Sequence, residues 1–201
     1  MKRNFILFAF LLTSCSSLVL INDEDFSKSH SSSSGYIMAG YEELGTPEDI
    51  NKVTALFYVR SLDRPDPLIG PRQIGGPLDV LLIPAKPGRY EISDWVIFGR
   101  TQRSVSSDSP YNFEVQPGVI TYVGKIQAKV ERLNNKFGMK IIPSVTAVLE
   151  DHIEEDSKLL KDRFPSAAHL EIVNEAPIRH DWTGVKSKAE NIVNPIIVPN
   201  Q

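Results

Sequence analysis

The chain has 201 residues, 41% of them hydrophobic, and a formal net charge of −3, which is ordinary for a globular protein. Removing residues 1–14 as a leader takes away two positive charges and changes the net charge from −3 to −5. This acidic balance argues against nucleic acid as a partner and against charge-driven attachment to anionic membranes. The length suits one domain with tails.

The first residues predict an export signal that ends in a lipidated cysteine. Lys2 and Arg3 precede an apolar run over residues 5–12, which is the layout of a secretory signal. The run ends in Leu12-Thr13-Ser14-Cys15, which resembles the lipobox of bacterial lipoproteins. A lipobox implies cleavage after residue 14, a diacylglyceryl group on the thiol of Cys15, and palmitate-type acylation of its new amino group.

Two other interpretations of this segment stay open. Residues 5–21 could form an uncleaved anchor at the short limit for spanning a bilayer, or the signal could be an ordinary one with an incidental cysteine. Cys15 is the only cysteine, so the exported part is predicted to have no disulfide and no cysteine-based metal site. Ser16 after it resembles an outer-membrane sorting pattern. We therefore expect a bacterial envelope location, at the outer membrane facing the periplasm.

Residues 15–35 are predicted to form the lipidated N-terminus and a flexible tether. The serine-rich stretch over residues 27–35 has almost nothing to bury. A flexible chain of roughly 20 residues spans about 25 Å, which would lift the following domain clear of the lipid headgroups. No later stretch is long and apolar enough to cross a bilayer, so the part after Cys15 is predicted to be soluble.

Residues 36–149 have the pattern of short strands separated by turns. Residues 111–116 alternate between apolar and polar side chains, and Pro117-Gly118 is a natural turn pair. Further strands are expected at 53–59, 78–83, 89–98 and 139–149, the last bent at Pro143. Residues 63–77 are rich in proline and glycine and are expected to form a long loop.

A long strand is expected after the Pro117-Gly118 turn, with one buried and one exposed face. One parity carries apolar side chains: Ile120, Tyr122, Ile126, Ala128 and Val130. The other parity carries mostly polar ones: Thr121, Lys125, Gln127, Lys129 and Glu131. A period of two residues places these sets on opposite faces. The strand spacing and the lack of helices between strands predict a mostly β domain, an antiparallel β-sandwich.

One amphipathic helix is expected over about residues 151–164. Asp151 is its predicted N-cap, with Glu154 placed as in a capping box. Acidic residues lie at the start and basic residues near the end, which suits the helix dipole, and Pro165 marks the stop. The domain is thus placed at 36–165. Residues 166–201 are expected to form an irregular extended tail, partly ordered through Trp182, with a short strand near 170–173.

Three elements of the sequence resemble a known family. Pro87-Gly88-Arg89-Tyr90-Glu91-Ile92 with Trp95 resembles one motif, and Phe113-Glu114-Val115-Gln116-Pro117-Gly118 with Tyr122-Val123-Gly124 resembles another. The acidic helix that ends in Phe164-Pro165 resembles the third. Together they resemble uncharacterised bacterial lipoproteins with a small carboxypeptidase-regulatory-like or transthyretin-like β-sandwich. The resemblance covers roughly residues 50–165 and implies a fold, but no catalytic residue.

The residues offer little catalytic equipment. There is no Gly-x-Ser-x-Gly elbow, and the histidines His30, His152, His169 and His180 lack a supporting motif. His152 with Glu155 or Asp156 has the helical spacing of a metal-ligand pair, but a solvated helix face is the more common meaning. The same holds for the paired carboxylates Glu42-Glu43 and Glu154-Glu155. Residues 70–76 are rich in glycine but lack the Lys-Ser/Thr of a phosphate-binding loop.

Aromatic side chains recur along the predicted strands, where they more often form a core than line a binding groove. They are Tyr90, Trp95, Phe98, Tyr111, Phe113 and Tyr122. We therefore assign no catalytic, cofactor-binding or metal-ligating residue, and only Cys15 as a modified one. The favoured function is a membrane-anchored, non-catalytic binding or structural module with an envelope protein or peptidoglycan as partner. The alternative is a hydrolase whose site is assembled from His152, His180 and Asp181.

Overall fold

The computed structural model describes residues 23–29, 33–45, 54–64, 69–75, 78–98, 102–130, 133–134, 136–138, 140–141 and 145–182. Over these residues the chain is mostly β, with two main sheets and few helices, as the strand pattern predicts. Cys15, which is the predicted lipidation site, lies outside the described residues, and so does His30.

The larger sheet is mixed, so it departs from the predicted antiparallel pairing at two of its strand pairs. In spatial order its main path is β12 (Arg179–Asp181), β10 (Val145–Glu150), β7 (Ile120–Val130), β1 (Gly35–Leu44) and β4 (Leu78–Ala85), and β11 (Ile172–Asn174) also pairs with β7. β1 and β11 both run parallel to β7. The backbone N–H of Gly118 donates to Ser34 O, which places the start of β7 beside the start of β1. The two strands therefore run in the same direction.

The smaller sheet is antiparallel throughout. Its spatial order is β3 (Ile69–Gly75), β2 (Thr54–Ser61), β5 (Gly88–Phe98) and β6 (Gln102–Val115). β3 lies within residues 63–77, so the prediction that this whole segment is a loop is wrong. It is an edge strand, where a proline such as Pro71 is tolerated because one side of the strand needs no hydrogen-bonding partner. Its pairing with β2 shifts register near Gly70 and Pro71.

A hydrophobic core lies between the two sheets. The larger sheet contributes side chains such as Ile37, Tyr41 and Leu149, and the smaller sheet contributes Tyr90 and Phe113. Tyr90 and Phe113 stack with their ring centroids 5.9 Å apart. The prediction that aromatics on these strands form a core is confirmed for Tyr90, Phe113 and Tyr122, which are all buried.

β7 is buried on both faces over residues 120–126, contrary to the expected half-exposed strand, whereas Lys129 near its end is exposed. Met38 pairs with Tyr122 and Gly40 with Lys125, so three steps on β7 match two on β1. This β-bulge lies at Gly124, whose φ of +112° is unfavourable for residues with a side chain. The extra residue changes which face of the sheet the odd-numbered and even-numbered side chains of β7 occupy after the bulge. Tyr122 and Lys125 therefore share one face, and Val123 and Ile126 share the other.

Helices cover the outer face of the larger sheet. They are α1 (Asp23–Ser29), α2 (Ile153–Arg163) and a 3-10 helix (Pro165–Ala167). Their apolar side chains, including Phe26, Leu160 and Phe164, join Tyr36 and Met38 of β1 in a second buried cluster. A helical layer on one face explains why β7 needs apolar or paired side chains on both sides.

α1 corrects the prediction of a flexible tether over the whole of residues 15–35. Phe26 is buried with its ring centroid 4.9 Å from that of Tyr36. Asp23 accepts hydrogen bonds of 2.9 Å from the backbone N–H and from the hydroxyl of Ser166. Residues 23–29 therefore belong to the domain, because one large aromatic side chain and one capping carboxylate hold them.

The predicted cap of α2 is also wrong in detail. The helix begins at Ile153, and its N-cap is His152, whose side chain makes no capping hydrogen bond. Asp151 lies one residue earlier and accepts a hydrogen bond from Ile153 N–H at 3.0 Å. The backbone N–H groups of Glu155 and Asp156 both donate to the backbone oxygen of His152.

Residues 166–182 form more structure than the predicted tail. Trp182 is buried in the core between the sheets, and its backbone N–H donates to Ala147 O at 3.1 Å. β11 and β12 both add to the larger sheet, because β7 and β10 leave backbone groups to pair there. Two-residue strands β8 (Leu133–Asn134) and β9 (Lys140–Ile141) form a hairpin after β7.

Candidate functional site

A buried polar cluster lies between α2 and the larger sheet. Tyr122 and Lys125 project from β7, and Asp156 projects from the first turns of α2. All three side chains are fully buried, whereas that of Glu155 is 53% exposed at the margin of the cluster. A fully buried lysine is rare unless its charge is paired, so this cluster is the most unusual chemical feature of the described chain.

The four side chains contact one another directly. The Tyr122 hydroxyl donates to Asp156 Oδ2 at 2.6 Å. Lys125 Nζ lies 3.0 Å from Asp156 Oδ1 and donates to Glu155 Oε2 at 2.6 Å. The backbone N–H of His152 donates to the Tyr122 hydroxyl at 3.2 Å. The two carboxylates thus hold the ammonium group, and the phenol holds the inner carboxylate.

Burial and pairing shift the pKa values of these groups. Burial raises the pKa of Tyr122, and the nearby Asp156 carboxylate raises it further. Burial lowers the pKa of Lys125, but its hydrogen bonds to Glu155 and Asp156 outweigh that effect, so the net shift is upward. Burial also raises the pKa of Asp156, despite its hydrogen bonds. The hydrogen bond from Lys125 lowers the pKa of Glu155.

Two glycines make room for the cluster. The bulge at Gly124 turns Lys125 toward α2, and Gly40 on β1 leaves space that the Asp156 carboxylate fills. A Cβ atom at residue 40 would lie 2.1 Å from Asp156 Oδ2. The cluster therefore depends on residues that are distant along the chain and that meet only in the folded sheet.

His152 lies at the outer edge of the cluster and does not complete a metal site. Its Nε2 is 3.7 Å from Glu150 Oε2 and its Nδ1 is 3.7 Å from Glu155 Oε2. Asp156, the other predicted ligand, is enclosed by Tyr122 and Lys125. Within the described ranges, no group of three histidine, cysteine or carboxylate side chains has the geometry to hold a metal ion.

The three residues of the hydrolase hypothesis do not come together. His180 lies opposite Leu149 on the core side of the larger sheet, with ring centroids 5.6 Å from Tyr111 and 5.5 Å from Trp182. Asp181, the next residue along β12, faces the other way and pairs with Arg179 at 2.7 Å.

Arg179 links Asp181 to the His152 side of the sheet. It also pairs with Glu150 at 2.5 Å, and Glu150 lies beside His152. His152 and Asp181 thus belong to one surface network of charges, whereas His180 lies on the opposite face. A histidine cannot activate a nucleophile across a packed sheet, because general-base catalysis requires hydrogen-bonding distance.

The remaining candidate residues serve the fold or lie on the surface. Glu42 accepts a hydrogen bond of 2.8 Å from Gln127, Glu43 is buried, and Glu154 and His169 are exposed. Gly70 and Gly75 lie in strand β3, so this segment does not form a phosphate-binding loop before a helix. The side chains of Trp95 and Phe98 lie outside the described parts of the structure.

Comparisons of the chain with protein-family models, with curated proteins and with solved structures find no match. Among the residues that the structure describes, no helix has the length and apolar character needed to cross a membrane. The lipoprotein resemblance therefore stays an expectation.

Sequence reasoning missed the cluster because the parity of β7 placed Lys125 on a solvated face. One signal was present: a glycine inside a strand often marks a bulge, and Gly124 separates Tyr122 from Lys125. Reading a bulge at that glycine would have placed Lys125 on the same face as Tyr122. No local pattern, however, indicates that Asp156 is the partner.

Proposed function

We propose that this protein is a lipid-anchored bacterial envelope protein whose domain binds or supports another envelope component without catalysis. The observation that carries the proposal is the lipobox-like segment at Leu12 to Cys15, placed a few residues before a helix that is docked on the domain. The separation of His152 from His180 supports the non-catalytic part. We further propose a β-sandwich like that of the carboxypeptidase-regulatory and transthyretin domains as the supporting fold.

The docked α1 makes the lipid anchor short. Asp23 is hydrogen-bonded to Ser166 and so is held on the domain, and it follows Cys15 by only eight residues in the sequence. At about 3.3–3.6 Å per residue, such a segment reaches at most about 29 Å when fully extended. Its average span as a flexible chain is about 15 Å. The domain would thus stay close to the membrane.

The attachment point also gives the domain an orientation. α1 contacts the start of β1 through Phe26 and Tyr36, and β7 starts beside β1. β7 (Ile120–Val130) runs away from this end for about 35 Å at 3.3 Å per residue. The β8–β9 hairpin follows, with Phe137 85% exposed at its turn. The α1 end would face the membrane, and the hairpin end would face partners in the envelope.

Metabolic labelling with an alkyne palmitate analogue tests the anchor. Wild-type protein should be labelled and should fractionate with membranes. Cys15→Ala should carry no label and should not fractionate with membranes. Ser17→Ala is the matched control, since it leaves the lipobox-like sequence intact and should keep the label. Label that persists in Cys15→Ala would overturn the proposal of lipidation at this residue.

Site-specific photo-crosslinking in cells tests the binding role and the orientation together. A photoreactive residue at Phe137 should capture an envelope protein or a peptidoglycan fragment. The same residue at Lys28, which is exposed on α1, should capture lipid. If both positions yield adducts only with lipid or solvent, the binding role is wrong. If lipid is captured at Phe137 and not at Lys28, the proposed orientation is reversed.

A further inference from the structure

The amine of Lys125 and the carboxyl group of Asp156 are enclosed together. Both side chains are fully buried, and Nζ lies 3.0 Å from Oδ1. In an apolar interior, an ion pair gains little over its desolvation cost. We propose that Lys125 and Asp156 form an intramolecular amide bond in the folded protein, which joins strand β7 to helix α2. The structure places these two side chains as the reactants of that condensation.

The reaction needs only the groups that are present. A proton moves from the Lys125 ammonium to the Asp156 carboxylate, which gives a neutral amine and a neutral acid. Nζ then attacks Cγ of Asp156, the Nζ–Cγ bond forms, and one Cγ–O bond breaks. The oxygen leaves as water with the proton of the acid and one proton of the amine. No electron is gained or lost, so no oxidant or other reactant is required.

Tyr122 is placed to assist the attack. Its hydroxyl donates to Oδ2 of Asp156 at 2.6 Å, on the oxygen that does not contact the amine. A donor at that position withdraws charge from Cγ and stabilises the negative oxygen of the tetrahedral intermediate. The His152 N–H in turn donates to the phenol at 3.2 Å, which helps to hold the hydroxyl in this orientation.

Glu155 is placed to transfer the proton. Its Oε2 lies 2.6 Å from Lys125 Nζ, so it can accept a proton from the attacking amine and return it to the leaving oxygen. Its side chain is 53% exposed, so the water can leave to solvent on the Glu155 side of the cluster. Holding amine and acid in contact also replaces a bimolecular collision, which is a large kinetic advantage.

Burial favours the neutral acid that the reaction needs, because it raises the pKa of Asp156. The two carboxylate partners raise the pKa of Lys125, so the neutral amine forms only when the ammonium passes a proton to a carboxylate within the cluster. The bond would also serve the protein, since the exported part has no cysteine apart from Cys15 and hence no disulfide. A covalent link between residues 125 and 156 would restrict the unfolded chain much as a disulfide does.

Peptide mapping of the full-length mature protein, purified from membranes in detergent, tests this proposal. Trypsin does not cleave after an acylated lysine, so the bond should give peptide 104–129 linked to peptide 141–158. The pair should weigh one water less than the sum of its two parts. Fragment spectra should place the link at Asp156. Separate, unmodified peptides from wild-type protein with a folded circular dichroism spectrum would overturn the proposal, and so would a link to Glu155.

Variants separate chemistry from folding. Lys125→Arg keeps the charge but should give no linked peptide. Asp156→Asn should give the same linked peptide as wild type, because the side-chain amide loses ammonia to form an identical product. Glu155→Gln should slow the linkage in newly made protein at least tenfold while leaving the spectrum unchanged. A linked peptide that forms at the wild-type rate in Glu155→Gln would remove Glu155 as the proton carrier.

Discussion

The Cα atom of Gly40 lies against the carboxylate of Asp156, so that a Cβ atom at residue 40 would be 2.1 Å from Oδ2. We expect Gly40→Ala to lower the free energy of unfolding by about 1–3 kcal/mol or more, since overpacking moves a buried group. Urea unfolding measures it. In an Asp156→Ala background the loss should shrink, because the clash is gone. Full additivity of the two substitutions would contradict this relationship.

Gly124→Ala should be more damaging than the same change at a second glycine of positive φ. Gly124 has a φ of +112°, and an added Cβ would lie 2.9 Å from Leu149 Cδ1 and 3.0 Å from Glu150 O. Gly138 has a φ of +72° with nothing within 4 Å of an added Cβ. Gly138→Ala should therefore cost only about 1–2 kcal/mol, for the backbone conformation alone. Equal losses in denaturant titrations would argue against the bulge.

Phe113→Ala should be severely destabilising, and Phe137→Ala is its control. Phe113 is only 5% exposed and stacks on Tyr90, whereas Phe137 is 85% exposed. Truncating a buried phenylalanine costs about 3–5 kcal/mol, and a surface substitution usually stays within about 0.5 kcal/mol. Chemical denaturation of both variants measures the difference. A loss of less than about 1 kcal/mol at Phe113 would contradict its place in the core.

Phe26→Ala should release α1 from the domain. The substitution removes the buried ring that contacts Tyr36. The hydrogen bonds from Ser166 to Asp23 would remain. Limited proteolysis should then cleave the chain before residue 35 at least several times faster than in wild type. Lys28→Ala, which removes only an exposed ion pair to Glu24, should not change the rate. An unchanged rate in Phe26→Ala would mean that this ring does not hold the helix.

Alkaline pH should destabilise the protein through tyrosines that are buried or partly buried. Burial is the main cause that raises the pKa values of Tyr90, Tyr111 and Tyr122. Below the unfolded tyrosine pKa of about 10 the stabilisation is fully present. As the pH rises above it, only the unfolded state ionises, so stability falls. In Tyr122→Phe the decrease between about pH 9 and 11 should be smaller than in wild type; an identical slope would exclude Tyr122 as a contributor.

Local patterns in the sequence determined the strand-rich class and the places where many strands lie. Strict alternation over residues 111–116 and the Pro117-Gly118 turn require no distant partner, because a period of two and a turn pair act on neighbouring residues. The buried state of Phe113 followed from the same alternation. Charge sorting and Pro165 gave the approximate region in which α2 (Ile153–Arg163) is found, although the cap itself differs.

Tertiary structure alone decided the features that depend on residues far apart in the chain. Residues 23–29 are part of the predicted tether, but in the fold Phe26 packs against Tyr36 and Asp23 binds Ser166. The parallel pairing of β1 and β7 depends on where the intervening sheet returns the chain. Lys125 is buried because a one-residue bulge turns it and because Asp156 meets it there. Burying a charge costs several kcal/mol unless a partner is present, and only the fold brings that partner to it.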